Sequence, residues 1–233
     1  MITALDHLEI GGSPAAYETL LGRRSTDGRL RTGNVGLTFS QSETGLRSMT
    51  FATTDLGKAA TLLERRAVPV TPDHDQLVLS GHGVPLKLAA SSEDMASPFT
   101  DDEAACVSGL DHVVVRTPNP ERAIAFYAGR LGLDLRLDRS NPKWGARLLF
   151  FRCGDLVVEI AHDLKKGVSD GPDHLWGLSW RVPDIAKANA RLKAAAIEVS
   201  EPRDGRRPGS QVFTVKDRTE GVPTIMIGGI GRW

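Results

Sequence analysis

The stretch LDHVVVRTPNPERAIAFYAGRLGLDL, Leu110 to Leu135, decides the fold, because the chain uses its grammar repeatedly. It begins with a β-branched run, DHVVVRT, that reads as a strand. Pro118-Asn119-Pro120 breaks the run, leaving Asn119 as an N-cap and Pro120 at the first helical position. Apolar residues then fall at helical spacing (Ile124, Phe126, Tyr127, Leu131), and Gly132 is placed to end the helix. Three strand-like runs follow, LDLRLD, ARLLFFR and DLVVEIAH, with Cys153-Gly154-Asp155 as the turn between the last two. The unit is strand, helix, strand, strand, strand.

Working outward, a weaker echo, LDHLEIGGSPAAYETLLG, starts at Leu5. FATTDLGKAATLLERRAVPV (Phe51 to Val70) aligns without a gap on WRVPDIAKANARLKAAAIEV (Trp180 to Val199). GVPLKL from Gly83 and GVPTIM from Gly221 close those two units. Such repeats mark supersecondary units that stack or pair. In the fourth unit GLSWRV is a strand, Asp184 caps a helix, and IEVSEP, SQVFTVKD and VPTIMIGG read as strands. The first unit has little room for a full middle strand before RTGNVGLTFS, and the second has a compressed sheet region. Residues 91–108 are polar and acidic without apolar periodicity and read as a linker. The expected fold class is α+β, with four tandem βαβββ units. Domain one spans 1–90 and domain two 109–233.

The 233 residues are enough for two small domains with real cores. Lys+Arg and Asp+Glu each total 29, so the formal charge of zero speaks against a nucleic-acid partner. No apolar run approaches the roughly 20 residues a spanning helix needs, so no membrane partner is expected. MITALDHLEI lacks the basic and apolar regions of a signal peptide. Cys106 and Cys153 have no metal or redox spacing, and a reduced, cytoplasmic setting fits them.

Tandem βαβββ units carrying DHVVV…FYAGRLGL and GDLVVEI resemble the vicinal oxygen chelate superfamily of glyoxalases, bleomycin resistance proteins and extradiol dioxygenases. The resemblance covers residues 109 to 230 well and residues 1 to 90 through the internal repeat. It implies that units pair so that their sheets curl into cups, each able to hold a divalent metal (Fe, Mn, Zn, Ni or Co) and a small-molecule substrate. Carried over by position, the metal ligands fall on His112 and Glu159, with Glu159 also the candidate catalytic acid/base. Imidazole and carboxylate suit such a metal. The remaining two ligand positions fall on Gly177 and Ile225, which supply no donor. His174 lies three residues before Gly177, an offset that turns it to the opposite face of a regular strand.

In the first half His7 matches His112, but its companion positions fall on Ser48 and Lys87, which argues against a metal there. That half would support the second half or a homodimer.

Strand alternation puts Val157, Glu159 and Ala161 on one face, away from the helix-packed side. Arg116 and Arg181 each follow a first-strand ligand position by two strand periods, which puts both near the cup rim, either as substrate-binding candidates for an anionic group or paired with a local acid or in solvent. Trp144, before a strand, reads either as shaping the pocket mouth or as a loop aromatic packed on the sheet edge. Trp176, Leu178 and Trp180 alternate toward the helix as core. Residues 201–209 form a basic turn with glycine hinges, readable as a lid or as a solvated hairpin connection. His74, His82 and His162 sit in polar or turn-like contexts and read as surface residues.

Two functional classes lead at this point, ahead of a degenerate scaffold that works through a partner. One is a metal-assisted lyase, isomerase or extradiol-type dioxygenase acting on vicinal oxygens. The other is a metal-free protein that sequesters a small molecule in an apolar cup.

Overall fold

A computed structural model describes residues 1–91 and 95–229. The first unit supplies β1 (Ile2–Gly11), α1 (Pro14–Leu21), β2 (Leu30–Arg31) and β3 (Gly36–Ser40). The second supplies β4 (Gly45–Thr53), α2 (Leu56–Arg65), β5 (Val70–Asp73), β6 (Gln76–Gly81) and β7 (Val84–Ala90). In the third come β8 (Gly109–Arg116), α3 (Pro120–Ile124), β9 (Asp134–Asn141), β10 (Ala146–Cys153) and β11 (Leu156–Asp163). The fourth comprises β12 (His174–Arg181), α4 (Ile185–Ala194), β13 (Arg203–Asp204), β14 (Gln211–Val215) and β15 (Thr224–Gly228).

Each half makes one mixed sheet. The strand orders are β2-β3-β1-β4-β7-β6-β5 and β13-β14-β15-β12-β8-β11-β10-β9. In the second sheet β8 and β12, the first strands of their units, pair antiparallel at the centre. The last strands, β11 and β15, return parallel to them on either side. The first sheet repeats this around β1 and β4. The first unit lacks one strand, whereas the second keeps all three of its later strands in short form.

Local chemistry sets the helix starts. Asn119 Oδ1 accepts from the Arg122 amide at 3.0 Å, and Asp184 Oδ1 accepts from the Ala186 and Lys187 amides at 3.0 Å. Both satisfy amides that a helix leaves unpaired at its N-terminus. α3 continues through a wider π-helical turn, Ala125–Arg130, that buries Phe126 and Tyr127. Tyr127 packs edge-on to Phe126 and tilted against Phe151, with centroids 5.3 and 5.5 Å apart. Val113, Val115, Val158 and Ile160 face the same helix-covered core. Burying each such side chain stabilises the fold by about 1.5–3 kcal/mol.

Residues 95–108 of the segment joining the halves are more ordered than its composition suggests, and 92–94 lie outside the described residues. Cys106 and Val107 are fully buried, and Arg23 stacks over Phe99 at 4.0 Å. Burial pushes the Cys153 thiol up to about 12 and raises Cys106 as well, so both are structural. Arg191 of α4 donates to the Thr19 and Leu20 carbonyls at 2.6 and 2.8 Å, satisfying the C-terminal end of α1. Asn34 works as a side-chain rung between the halves. Its amide donates to Leu110 O and Asp155 Oδ1 at 2.8 and 2.9 Å, and its oxygen accepts from Leu110 N at 2.8 Å.

Two expectations fail locally. IEVSEP is not a strand and makes only an isolated bridge, Val199 to Val215. β12 carries an extra residue, Trp176, between Leu175 and Gly177, and β8 carries one, Asp111, opposite the Ser179–Trp180 step; both break simple alternation.

Asn34→Ala leaves the Leu110 amide without its partner and removes the rung. A loss of about 1–3 kcal/mol is expected in urea unfolding. A loss within about 0.5 kcal/mol, the range of an ordinary surface change, would show that the rung is not structural.

Candidate functional site

The face of the second sheet opposite the helices is concave, since Val157 and Ser179 on it are fully buried. Register fixes what points into this cup. His112 on β8 lies beside Val157 and Ser179, and Glu159 on β11 lies beside Val114 and Phe150. Apart from His112, Glu159 and Ser179 the central floor is apolar, with Val114, Val157, Phe150 and Ile225 around them. Ser179 Oγ is buried with no hydrogen-bond partner among the described residues.

Asp111 Oδ2 lies 2.9 Å from His112 Nδ1, which fixes the ring and aims Nε2 across the cup. His112 Nε2 is 3.6 Å from Glu159 Oε2, an ion-pair contact too long for a hydrogen bond. The two side chains are 14% and 13% exposed. Burial lowers the His112 pKa, but the Asp111 hydrogen bond and the charges of Glu159 and Asp111 outweigh it, so the net shift is upward. Arg206 is near enough for its charge to oppose this.

The β8–β12 seam shows what became of the other two ligand positions. His112 pairs with Ser179 and Val114 with Gly177, so the two-fold relation of the units makes Gly177 the counterpart of His112. Ser179 beside Ile225 repeats Val114 beside Glu159, which makes Ile225 the counterpart of Glu159. A Cβ at residue 177 would lie 2.8 Å from the Pro223 carbonyl oxygen, so the backbone itself leaves no room for a ligand there. Among the described residues no cluster of three or more His, Cys, Asp or Glu could hold a metal ion. Two protein donors fall short of the three that catalytic zinc sites use. The donor set does not fit a resident divalent metal.

The mouth of the cup is cationic and aromatic. Arg116 stacks over Trp176 at 4.1 Å. Arg139 of β9 and Arg206 of the β13–β14 loop both stack on Trp144, at 5.0 and 4.4 Å. Arg206 thus bridges from the fourth unit to the third. Arg116, Arg139 and Arg206 have no acidic partner among the described residues. Trp144 and Trp176 are each 39% exposed.

Arg181 is not at this rim. It lies opposite Gly109, past the extra residue Asp111 that β8 carries across from the Ser179–Trp180 step. There it is buried, donating to Leu110 O at 2.6 Å and Asp155 O at 2.7 Å, with Asp111 Oδ1 at 3.7 Å. The bulge before Gly177 likewise turns Trp176 out of the core, while Leu178 and Trp180 remain in it. His174 is exposed beside Arg116, at the open end of β12. His162 is buried rather than exposed, its Nδ1 3.1 Å from Thr117 O. Arg139, Ser179 and Arg206 were missed by the sequence reading. Strand alternation placed Arg139 in reach of the cup, and Arg206 sits in the basic turn noted above.

Residues 109–223 match the family model of the Glyoxalase/Bleomycin resistance protein/Dioxygenase superfamily. An ethylmalonyl-CoA/methylmalonyl-CoA epimerase of Cereibacter sphaeroides is 28% identical over 112 residues, covering 42% of this chain and 81% of that protein. A 2,2',3-trihydroxybiphenyl 1,2-dioxygenase of Sphingomonas wittichii strain RW1 superposes on 100% of this chain and 92% of its own, with TM-score 0.73 at 18% identity. The Mn(II)-bound glyoxalase of Novosphingobium aromaticivorans covers 99% of this chain and 83% of its own, with TM-score 0.72 at 13% identity. At these identities the structural likeness is one of fold.

Imidazole NMR should give His112 a titration midpoint above its ordinary 6.5. Glu159→Gln should lower it, because a charge favouring the protonated ring is gone. With a raised folded value, His112 stabilises the fold fully below pH 6.5 and loses that contribution as pH climbs through the folded midpoint. A midpoint at or below 6.5 contradicts this electrostatic account.

Proposed function

We propose, for a chain whose second half belongs to the Glyoxalase/Bleomycin resistance protein/Dioxygenase superfamily, that the second cup binds a small organic anion without a metal. The observation that carries this is the ring of guanidinium groups at Arg116, Arg139 and Arg206. Each lacks an acidic partner among the described residues, and all three stand over one largely apolar cup. Arginine binds carboxylate or phosphate through paired hydrogen bonds. Val114, Phe150 and Ile225 would enclose the apolar body of the ligand, and a few polar groups would fix its orientation, as in most small-molecule sites.

The floor supplies those polar groups. His112 Nε2 and Glu159 face each other 3.6 Å apart, the imidazole placed to bond a ligand hydroxyl or carbonyl and the carboxylate to accept from a ligand hydroxyl. The orphan Ser179 hydroxyl would gain a partner on binding, which removes the cost of leaving it buried and unpaired. Trp144 and Trp176 would flank the entering group. The substrates in the name of the Cereibacter relative, ethylmalonyl-CoA and methylmalonyl-CoA, are themselves anions, in keeping with this reading.

The second reading is a metal-assisted enzyme of the glyoxalase or dioxygenase type, with His112 and Glu159 as ligands and Glu159 as acid/base. One observation favours it: Asp111 orients His112 as outer-sphere carboxylates orient metal-binding histidines. The donor count stands against it.

The test is fluorescence titration of the whole chain with 1-naphthoate in the presence of EDTA, with uncharged 1-naphthalenemethanol as comparator. Saturable binding that prefers the anion is expected, weakened about tenfold by Arg206→Ala combined with Arg139→Ala. Equal affinity for the two probes, or binding that EDTA abolishes, would overturn the proposal.

A further inference from the structure

The first cup is the strongest unassigned feature of the molecule. Its floor is laid out by register. Arg31 pairs with Gly36, Gly36 with His7, His7 with Thr50, and Thr50 with Lys87. These five residues form one continuous rung across β2, β3, β1, β4 and β7, with neighbouring strands about 4.8 Å apart. The next rung on the same face is Thr38, Glu9 and Ser48. The opposite face holds Leu8, Leu37, Met49 and Leu86, all fully buried in the core. The floor is recessed rather than a flat wet sheet, because Ser48 and Thr50 on it are only 5% and 6% exposed.

The chemistry of this floor parallels the second cup with one carboxylate displaced. Asp6 Oδ2 holds His7 Nδ1 at 2.6 Å, as Asp111 holds His112. Asp6 also meets Arg31 at 3.4 Å. Glu159 of the second cup lies on the last strand of its unit beside Val114. In the first cup the last strand carries Thr38, and its rung partner on the first strand is Glu9. The acid has moved one strand sideways and kept its distance in rungs from the histidine. Ser48 Oγ donates to Glu9 Oε2 at 2.9 Å, which leaves Glu9 Oε1 to take another donor. The positions that are Gly177 and Ile225 in the second cup are Ser48 and Lys87 here.

Two groups on the His7 rung lack partners. Lys87 is half-buried and has no hydrogen bond or ion pair among the described residues. Arg31 Nη1 is buried without a hydrogen-bond partner. It stands beside Gly36, where a Cβ would fall 2.5 Å from the His7 ring, so glycine is what lets the imidazole lie across β3. A lysine on this floor repels a cation and attracts an anion.

We propose that the first cup is a second binding site, specific for a small carboxylate that also carries a hydroxyl or amino donor. The carboxylate lies over Thr50 beside Lys87, and the donor group hydrogen-bonds to Glu9 on the neighbouring strand. This site is separate from the second cup and does not rest on the function proposed for it.

The test is NMR of the whole chain, reading the His7 imidazole and Lys87 side-chain signals during titration with glycolate, with acetate as comparator. Glycolate should shift both signals saturably and bind more tightly than acetate. Lys87→Gln and Lys87→Ala should each weaken glycolate about tenfold without changing the urea midpoint. No saturable shift, equal affinity for acetate and glycolate, or unchanged affinity in the Lys87 variants would each overturn the proposal.

Discussion

The antiparallel pairing of first strands, β8 with β12 and β1 with β4, is the constraint from which both cups follow. It places two βαβββ units back to back. It fixes which residue of one unit faces which residue of the other. It also sends one face of each sheet to the helices and leaves the other to form a floor. Because the side-chain period is two, a slip of one residue in either seam would exchange the two faces. The buried core residues Val113, Val115, Val158, Ile160 and Leu8, Leu37, Met49 resist that slip, since it would carry His112, Glu159, His7 and Glu9 into the core. The packing energy of the core therefore also positions His112, Glu159, His7 and Glu9.

On that shared frame the two floors have diverged in opposite directions. The second has lost two donor positions to Gly177 and Ile225 and kept one imidazole–carboxylate pair in apolar surroundings. Its cationic groups have gathered at the mouth, where Arg139 and Arg206 meet on Trp144. The first has polar residues at all the corresponding positions, and its cations lie within the floor itself. The Asp–His pair is common to both. In each case the aspartate fixes one ring nitrogen and leaves the other to face the cup, a device that serves proton donors, ligand anchors and metal ligands alike.

Much of this was legible in the sequence. The internal repeat gave the units, and the cap residues Asn119 and Asp184 marked the helix starts. Strand alternation put Glu159 on the cup face, and direct alignment of units identified Gly177 and Ile225 as the empty positions. What escaped was what alternation cannot carry. The bulges at Asp111 in β8 and Trp176 in β12 left Arg181 buried against Leu110 and Asp111 and turned Trp176 out to the rim, and no local residue pattern announced either of them. Arg206 lies far in sequence from Trp144 and from His112, so their convergence depends on the pairing of units. The order of the 95–108 segment was hidden for the same reason: Cys106, Val107 and Phe99 are held by Arg23 and Arg191, from the first and fourth units.

The central claim is that the His112–Glu159 pair acts without a resident metal. Metal content after loading tests it most directly. The untagged chain would be equilibrated anaerobically with Fe(II), Mn(II) or Zn(II), dialysed without chelator, and assayed beside His112→Ala. The account predicts well under one equivalent of each metal per chain, with no difference between the two proteins. About one equivalent per chain, lost in His112→Ala, would contradict it.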